Sequence, residues 1–246
     1  MDPLPWMPIL MYHRVLPRGS ADPDDPYSTP IEMIESHLDW LGQRDFAPVP
    51  LDLALQPPQQ GEGRRFAVTF DDGYGDFLEL ALPLLRRRGV PATVFAVSNA
   101  VGGRSHWDRG APLLSAAGLR ELQSEGIFVG SHGRTHRRLA GLPHAELESE
   151  VAGSKQDLEE LLGAPVRHFA YPYHSLDGMA MEAVRQAGFE GAAGGNENAH
   201  QPFNLHRIDG AGIGRPRLGL YFHGLHRRTR GWPLPHALRR LGRTRR

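Results

Sequence analysis

The chain has 246 residues, 40% of them hydrophobic, which is long enough to bury a core without cross-links. It contains no cysteine, which excludes a disulfide framework and a thiolate metal site and leaves His, Asp and Glu as the ligands for any transition metal. The net charge of zero hides a division: residues 214–246 carry ten arginines and no acidic residue, so the remainder is acidic by the same amount. Such a tail suits an anionic surface or partner, or serves only for solubility. No stretch approaches 18 uninterrupted apolar residues, so no membrane span is expected. Residues 1–16 lack the basic and apolar regions of a secretory leader, so a cytoplasmic location is expected.

In chain order, the first buried strand is expected over Pro8–His13, ending in Met11-Tyr12-His13-Arg14. A histidine there can act as an acid near neutrality, although a single histidine at a strand end also occurs for structural reasons. Arg18–Pro26 reads as a loop. Thr29-Pro30-Ile31-Glu32 then offers an N-cap, a proline at the first helical position and a glutamate three residues after the cap. Ile31, Ile34, Leu38 and Leu41 continue at helical spacing, and Gln56–Gly63 is a second loop. The strand Phe66–Phe70 ends abruptly in Asp71-Asp72-Gly73. In parallel α/β folds the C-terminal strand ends form the active-site face. Adjacent residues there point in different directions, so the two carboxylates can take different jobs. They can equally cap a turn and the next helix.

A helical stripe of Phe77, Leu80, Ala81, Leu84 and Leu85, kinked by Pro83 and ended near Gly89, leads to a strand over Ala92–Val97 and a loop over Gly102–Pro112. The strand Ile127–Val129 runs into Gly130-Ser131-His132-Gly133-Arg134-Thr135-His136. Two histidines at i and i+4 share one helical face and can grip one ion; in a polar loop they would simply be exposed. Leu147, Val151, Leu158, Leu161 and Leu162 form a third stripe before Gly163. The strand Val166–Tyr171 continues into Pro172-Tyr173-His174, where the proline fixes the exit and a backbone N–H just beyond it can be aimed at an oxyanion, unless the tyrosines serve packing alone. Met181, Val184 and Ala187 before Gly188 make a fourth stripe, and Leu205–Ile208 a last strand.

This alternation implies a parallel sheet with crossover helices, and about seven such units favour a closed or nearly closed barrel over an open doubly wound sheet. One domain over residues 1–213 and a basic tail over 214–246 are expected. An aspartate with two histidines suits Zn²⁺, Co²⁺, Ni²⁺ or Mn²⁺ better than Ca²⁺ or Mg²⁺, and three protein ligands leave positions open for water and substrate. Trp232, Leu234, Leu238 and Leu241 lie among the arginines of the tail, an arrangement compatible with contact to a membrane surface. The tail has no recognised nucleic-acid-binding pattern, so no nucleic-acid partner is expected.

Together these motifs resemble the polysaccharide deacetylase family, also called NodB-homology or carbohydrate esterase family 4. Thr69-Phe70-Asp71-Asp72-Gly73 resembles its first motif, His132 and His136 its His-x-x-x-His motif, and Ala170-Tyr171-Pro172-Tyr173 its third. The opening Ile9-Leu10-Met11-Tyr12-His13-Arg14 is similar to the subgroup acting on exopolysaccharides such as poly-N-acetylglucosamine. The resemblance implies a distorted, incomplete (β/α)7 barrel and a metal-dependent hydrolase that removes N-acetyl groups from an amino sugar or polysaccharide. It implies Asp71 as general base, Asp72, His132 and His136 as ligands of a divalent ion, Zn²⁺ foremost, Tyr173 as the backbone N–H donor to the oxyanion and His13 as the acid.

The chain departs from the pattern in three places. Gly133 stands where relatives often have Ser or Thr, and Ala170 where many have an arginine that orients the base. The late Leu-His motif has only a loose counterpart in Asn204-Leu205-His206-Arg207. The first two departures motivate an alternative expectation, a catalytically weak, metal-containing carbohydrate-binding relative.

Overall fold

The computed structural model describes residues 6–22, 24–194, 200–211, 213, 214, 218 and 219. The tail expected beyond residue 213, with its membrane-facing reading, falls almost wholly outside the described residues. Among these, no helix is long and apolar enough to cross a membrane.

Among the described residues ten strands and five α-helices follow one another: β1 Ile9–Tyr12, β2 Val15–Leu16, β3 Thr29–Pro30, α1 Ile31–Gly42, β4 Phe46–Pro48, β5 Arg64–Phe70, α2 Leu82–Arg88, β6 Thr93–Ala96, α3 Ala116–Ser124, β7 Phe128–Ser131, α4 His144–Leu162, β8 His168–Ala170, α5 Gly178–Gln186, β9 Gly191–Ala193 and β10 Ile208–Asp209. The main sheet has the order β10-β1-β5-β6-β7-β8-β9, with β4 beside the start of β5, and every pairing is parallel. The segment containing β10 also meets β9 through a parallel bridge, Ala193 to Leu205. The sheet therefore curls round into the expected distorted barrel of seven strands, with a thin seam between β9 and β10, and the open doubly wound alternative is excluded.

Alternation along the strands sorts side chains into two layers. Leu10, Tyr12, Val68, Phe70, Val94 and Phe169 face outward into the main core under the helices. Ile9, Ala67, Phe95, Ala170, Ala193 and Leu205 face inward and pack with Leu51 and Ala54 from the turn after β4, which plug the floor of the barrel. Small residues make room for large ones: a Cβ on Gly130 would lie 2.5 Å from the ring of Phe95.

Three local expectations are corrected. Thr29 does not cap α1; it pairs with β2, Pro30 precedes the helix and no side-chain cap bond forms there. Pro83 sits not in the middle of a helix but in the first turn of α2, which continues directly from a single π-helical turn, Phe77–Ala81. The sequence reading also missed α3, capped by Ser115, and the strands β4 and β9.

Candidate active site

The N–H of Asp71 donates to Tyr12 O at 2.9 Å, so Asp71 prolongs β5 by one residue and points into the barrel mouth, as Thr69 points inward below it. In continued strand geometry Asp72 would then face the helices. Instead it adopts a left-handed φ of 73°, followed by Gly73 at 73°, and its carboxylate folds back to the mouth. Aspartate is among the few non-glycine residues that tolerate this conformation. The expected divergence of the two acids is thus corrected, since both reach one site. Asp72 Oδ1 lies 3.2 Å from His132 Nε2 and 3.1 Å from His136 Nε2, and Asp71 Oδ2 lies 4.0 Å from His132 Nε2.

His132 follows β7, and its Nδ1 donates to the carbonyl oxygen of Ala170 at 2.8 Å. A carbonyl only accepts, so the proton sits on Nδ1 and the Nε2 lone pair is turned toward Asp72. His136 is not one helical turn further on, and the shared helical face is overturned. The intervening chain is a loop with left-handed Gly133 and His136. Glu150 of α4 holds this loop by accepting the N–H groups of Arg134 and Thr135, both at 3.0 Å, together with the Thr135 hydroxyl. Ser131 Oγ accepts the Gly133 N–H at 3.2 Å. These bonds steady the loop where Gly133 itself offers no hydroxyl.

Asp72, His132 and His136 are buried, their ligand atoms lie within 4.8 Å of one another, and among the described residues Asp72 Oδ1 has no hydrogen-bond partner. A buried carboxylate oxygen faced by imidazole nitrogens is the donor set that suits a divalent transition ion. Burial pushes the Asp72 carboxyl upward, but the two imidazoles outweigh it and hold it well below the usual range. Burial likewise opposes charge on His132, yet Asp71 and Asp72 raise its pKa, whereas burial prevails at His136 and lowers it.

The guanidinium missing at Ala170 comes from elsewhere. Arg207, fully buried, rises through the barrel interior past Thr69 Oγ1 (3.2 Å) and forms a fork on Asp71, Nη1 to Oδ1 at 2.5 Å and Nη2 to Oδ2 at 2.6 Å. Burial alone would raise the Asp71 carboxyl; Arg207 foremost, then His132, overturns this and brings it down to about 2. The loose late-motif candidate therefore contributes its arginine, while His206 stacks on Trp6 before the start of β1. His13 stands at the end of β1 with Nε2 3.9 Å from Asp71 Oδ2 and its ring against Tyr27. Tyr173 follows Pro172 with a left-handed φ of 56°, and its hydroxyl lies 3.1 Å from His136 Nδ1. All six residues singled out from sequence thus meet at one mouth. Arg207, Glu150 and Trp107, which is stacked on His136, were missed.

The sequence profile of the family described as Polysaccharide deacetylase matches residues 59–192, more than half of the chain. The Bacillus subtilis protein YxkH is 27% identical over 212 residues, covering 82% of this chain and 70% of that one. The Staphylococcus aureus poly-beta-1,6-N-acetyl-D-glucosamine N-deacetylase is 23% identical over 67% of this chain and 60% of its own length. Among solved structures, IcaB from Ammonifex degensii superposes with a TM-score of 0.73 at 24% identity, over 90% of this chain and 97% of that one. The Streptococcus pyogenes deacetylase PplD superposes with a TM-score of 0.71 at 20% identity, over 82% and 91%. The two superpositions speak for the shared barrel, the profile match for descent, and the chain belongs to the polysaccharide deacetylase family.

Proposed function

We propose that the protein is a divalent-cation-dependent hydrolase that removes N-acetyl groups from an amino sugar or polysaccharide of the N-acetylglucosamine type and releases acetate. The observation that carries this reading is the convergence of Asp72, His132 and His136 beside an Asp71 locked by Arg207. A mixed carboxylate–imidazole set favours Zn²⁺, with Co²⁺, Ni²⁺ and Mn²⁺ as substitutes. Bound there, such an ion would polarise the acetamide carbonyl and lower the pKa of a water ligand to about 7.

The remaining roles fall to the chain itself. Asp71 accepts the proton of the attacking water at a carboxylate oxygen. Arg207 keeps that carboxylate ionised and fixes its plane, so it is ready at neutral pH although intrinsically a weak base. The backbone N–H of Tyr173, set by Pro172 and the left-handed turn, donates to the oxygen that gains charge. His13, across Asp71, gives a proton to the departing nitrogen. Ala170 and Gly133 motivated a non-catalytic alternative, but Arg207 and Glu150 provide the functions missing at those positions, so the catalytic reading is preferred.

The test is acetate release from N-acetylglucosamine oligomers, β-1,4- and β-1,6-linked. Release is expected to stop with chelator, to return with Zn²⁺ or Co²⁺, and to be lost in Asp71→Asn. Undiminished release after thorough chelation would overturn the proposal.

A further inference from the structure

Trp107 takes no part in the steps above, yet it touches two of the three side chains assigned to the cation. Its Nε1–H donates to Asp72 Oδ2 at 3.1 Å, and its ring stacks on His136 with centroids 4.1 Å apart and planes 28° apart. Tyr173 meets another side of the same imidazole edge-on at 4.6 Å. The indole is itself anchored. Its N–H lies 3.3 Å from the Tyr74 hydroxyl, which donates its own proton to Asp108 Oδ2 at 2.5 Å. Asp108 in turn accepts from the Ser105 hydroxyl and from the N–H groups of Gly110 (3.0 Å) and Ala111 (3.3 Å). Beneath, Tyr74, Ala111 and Leu113 form a small apolar cluster on which Trp107 packs.

We infer that Trp107 is a positioning residue for the cation site. By engaging Oδ2 it leaves Oδ1 as the single coordinating atom of Asp72, and by stacking it fixes the plane of His136. A carboxylate whose second oxygen is released can rotate or coordinate through both oxygens, and partners of ligating groups typically change metal affinity by about 10–100-fold. The inference rests on the reading of Asp72, His132 and His136 as ligands, and the experiment separates the two.

The probe is Co²⁺, titrated into the full chain and followed by visible absorption and by quenching of indole fluorescence. The wild type is expected to bind with a quench that Trp107→Phe lacks. Trp107→Phe keeps an aromatic ring but loses the N–H; its affinity should fall about tenfold or more, with an altered visible spectrum. Tyr74→Phe removes one anchor of the indole but keeps its N–H bond to Asp72, so its loss of affinity should be clearly smaller than that of Trp107→Phe. Unchanged affinity and spectrum in Trp107→Phe would overturn the inference. An equal loss in Tyr74→Phe would also overturn it, by showing that loop integrity rather than the indole N–H matters. Failure of the wild type to bind Co²⁺ at all would overturn the ligand assignment itself.

Discussion

Replacing Arg207 by Gln removes a guanidinium that is entirely enclosed by protein and makes two parallel bonds to Asp71, at 2.5 and 2.6 Å. Each charge-assisted bond of this kind contributes about 1.5–3 kcal/mol. Stranding the partner of a buried pair costs about 3–5 kcal/mol, because the remaining carboxylate has no water to turn to. The assay is a double-mutant cycle with Asp71→Asn, using urea unfolding at pH 7.5. Arg207→Gln alone should lose about 3–5 kcal/mol, most of which Asp71→Asn restores in the double variant. The same perturbation must also move the activity profile. With the guanidinium gone, burial acts unopposed on Asp71, whose pKa is otherwise about 2, so the acid limb of kcat/KM for acetate release should climb toward neutral pH. Arg207→Lys, which keeps the charge but not the fork, should fall between wild type and Gln. A coupling energy under about 1 kcal/mol, with an unmoved acid limb, would refute the reasoning.

Glu150→Gln should weaken cation binding by about tenfold with a smaller effect on folding, since the carboxylate fixes the loop that carries His136; competition titration against a chromogenic chelator measures this. Gly130→Ala should destabilise the chain by about 1–3 kcal/mol in urea, because the added methyl meets the Phe95 ring at 2.5 Å and the His168 carbonyl oxygen at 3.0 Å. Burial raises Asp76 to about 6 against the opposing Val15 N–H and Arg14. The folded chain therefore holds this proton more tightly than the unfolded one, and the stability it brings is complete below about pH 4 and lost as the pH rises through about 6. Asp76→Asn keeps an acceptor for Val15 N–H and should gain roughly 1–2 kcal/mol at pH 7.5 but little at pH 4; an equal gain at both would disprove the assignment.

What the sequence made legible was whatever a short window could carry. The apolar runs that become β5 and β7 are each followed directly by functional side chains, so Asp71, Asp72, His132 and His136 announce themselves beside the strands that position them. The glycines after α2 and α4 also stand in left-handed conformation where their helices stop, as the stripes indicate. Other features depend on distant partners. Arg207 serves Asp71 from 136 residues away, and its side chain climbs through the barrel interior; nothing in the residues around it signals a buried partner. The His-x-x-x-His spacing suggested a helix, but a loop with two positive-φ residues brings the same nitrogens together because Glu150 reaches it from α4. β9, Gly191–Ala193, carries only small residues, so hydrophobic periodicity had no amplitude there; its place is set by the neighbours that pack over it.

The pairing of Arg207 with Asp71 has a consequence for the electrical state of the mouth. With His132 and His136 neutral, as ligation requires, Asp71, Asp72 and Arg207 together leave a single uncompensated negative charge among these five buried groups. A monovalent ion would merely cancel it, whereas a divalent ion reverses the sign. This group is then one positive charge in excess, and a substrate oxygen acquiring negative charge beside it restores neutrality. By silencing one aspartate in advance, the arginine makes the developing anion, rather than the resting amide, the species whose charge matches the cavity.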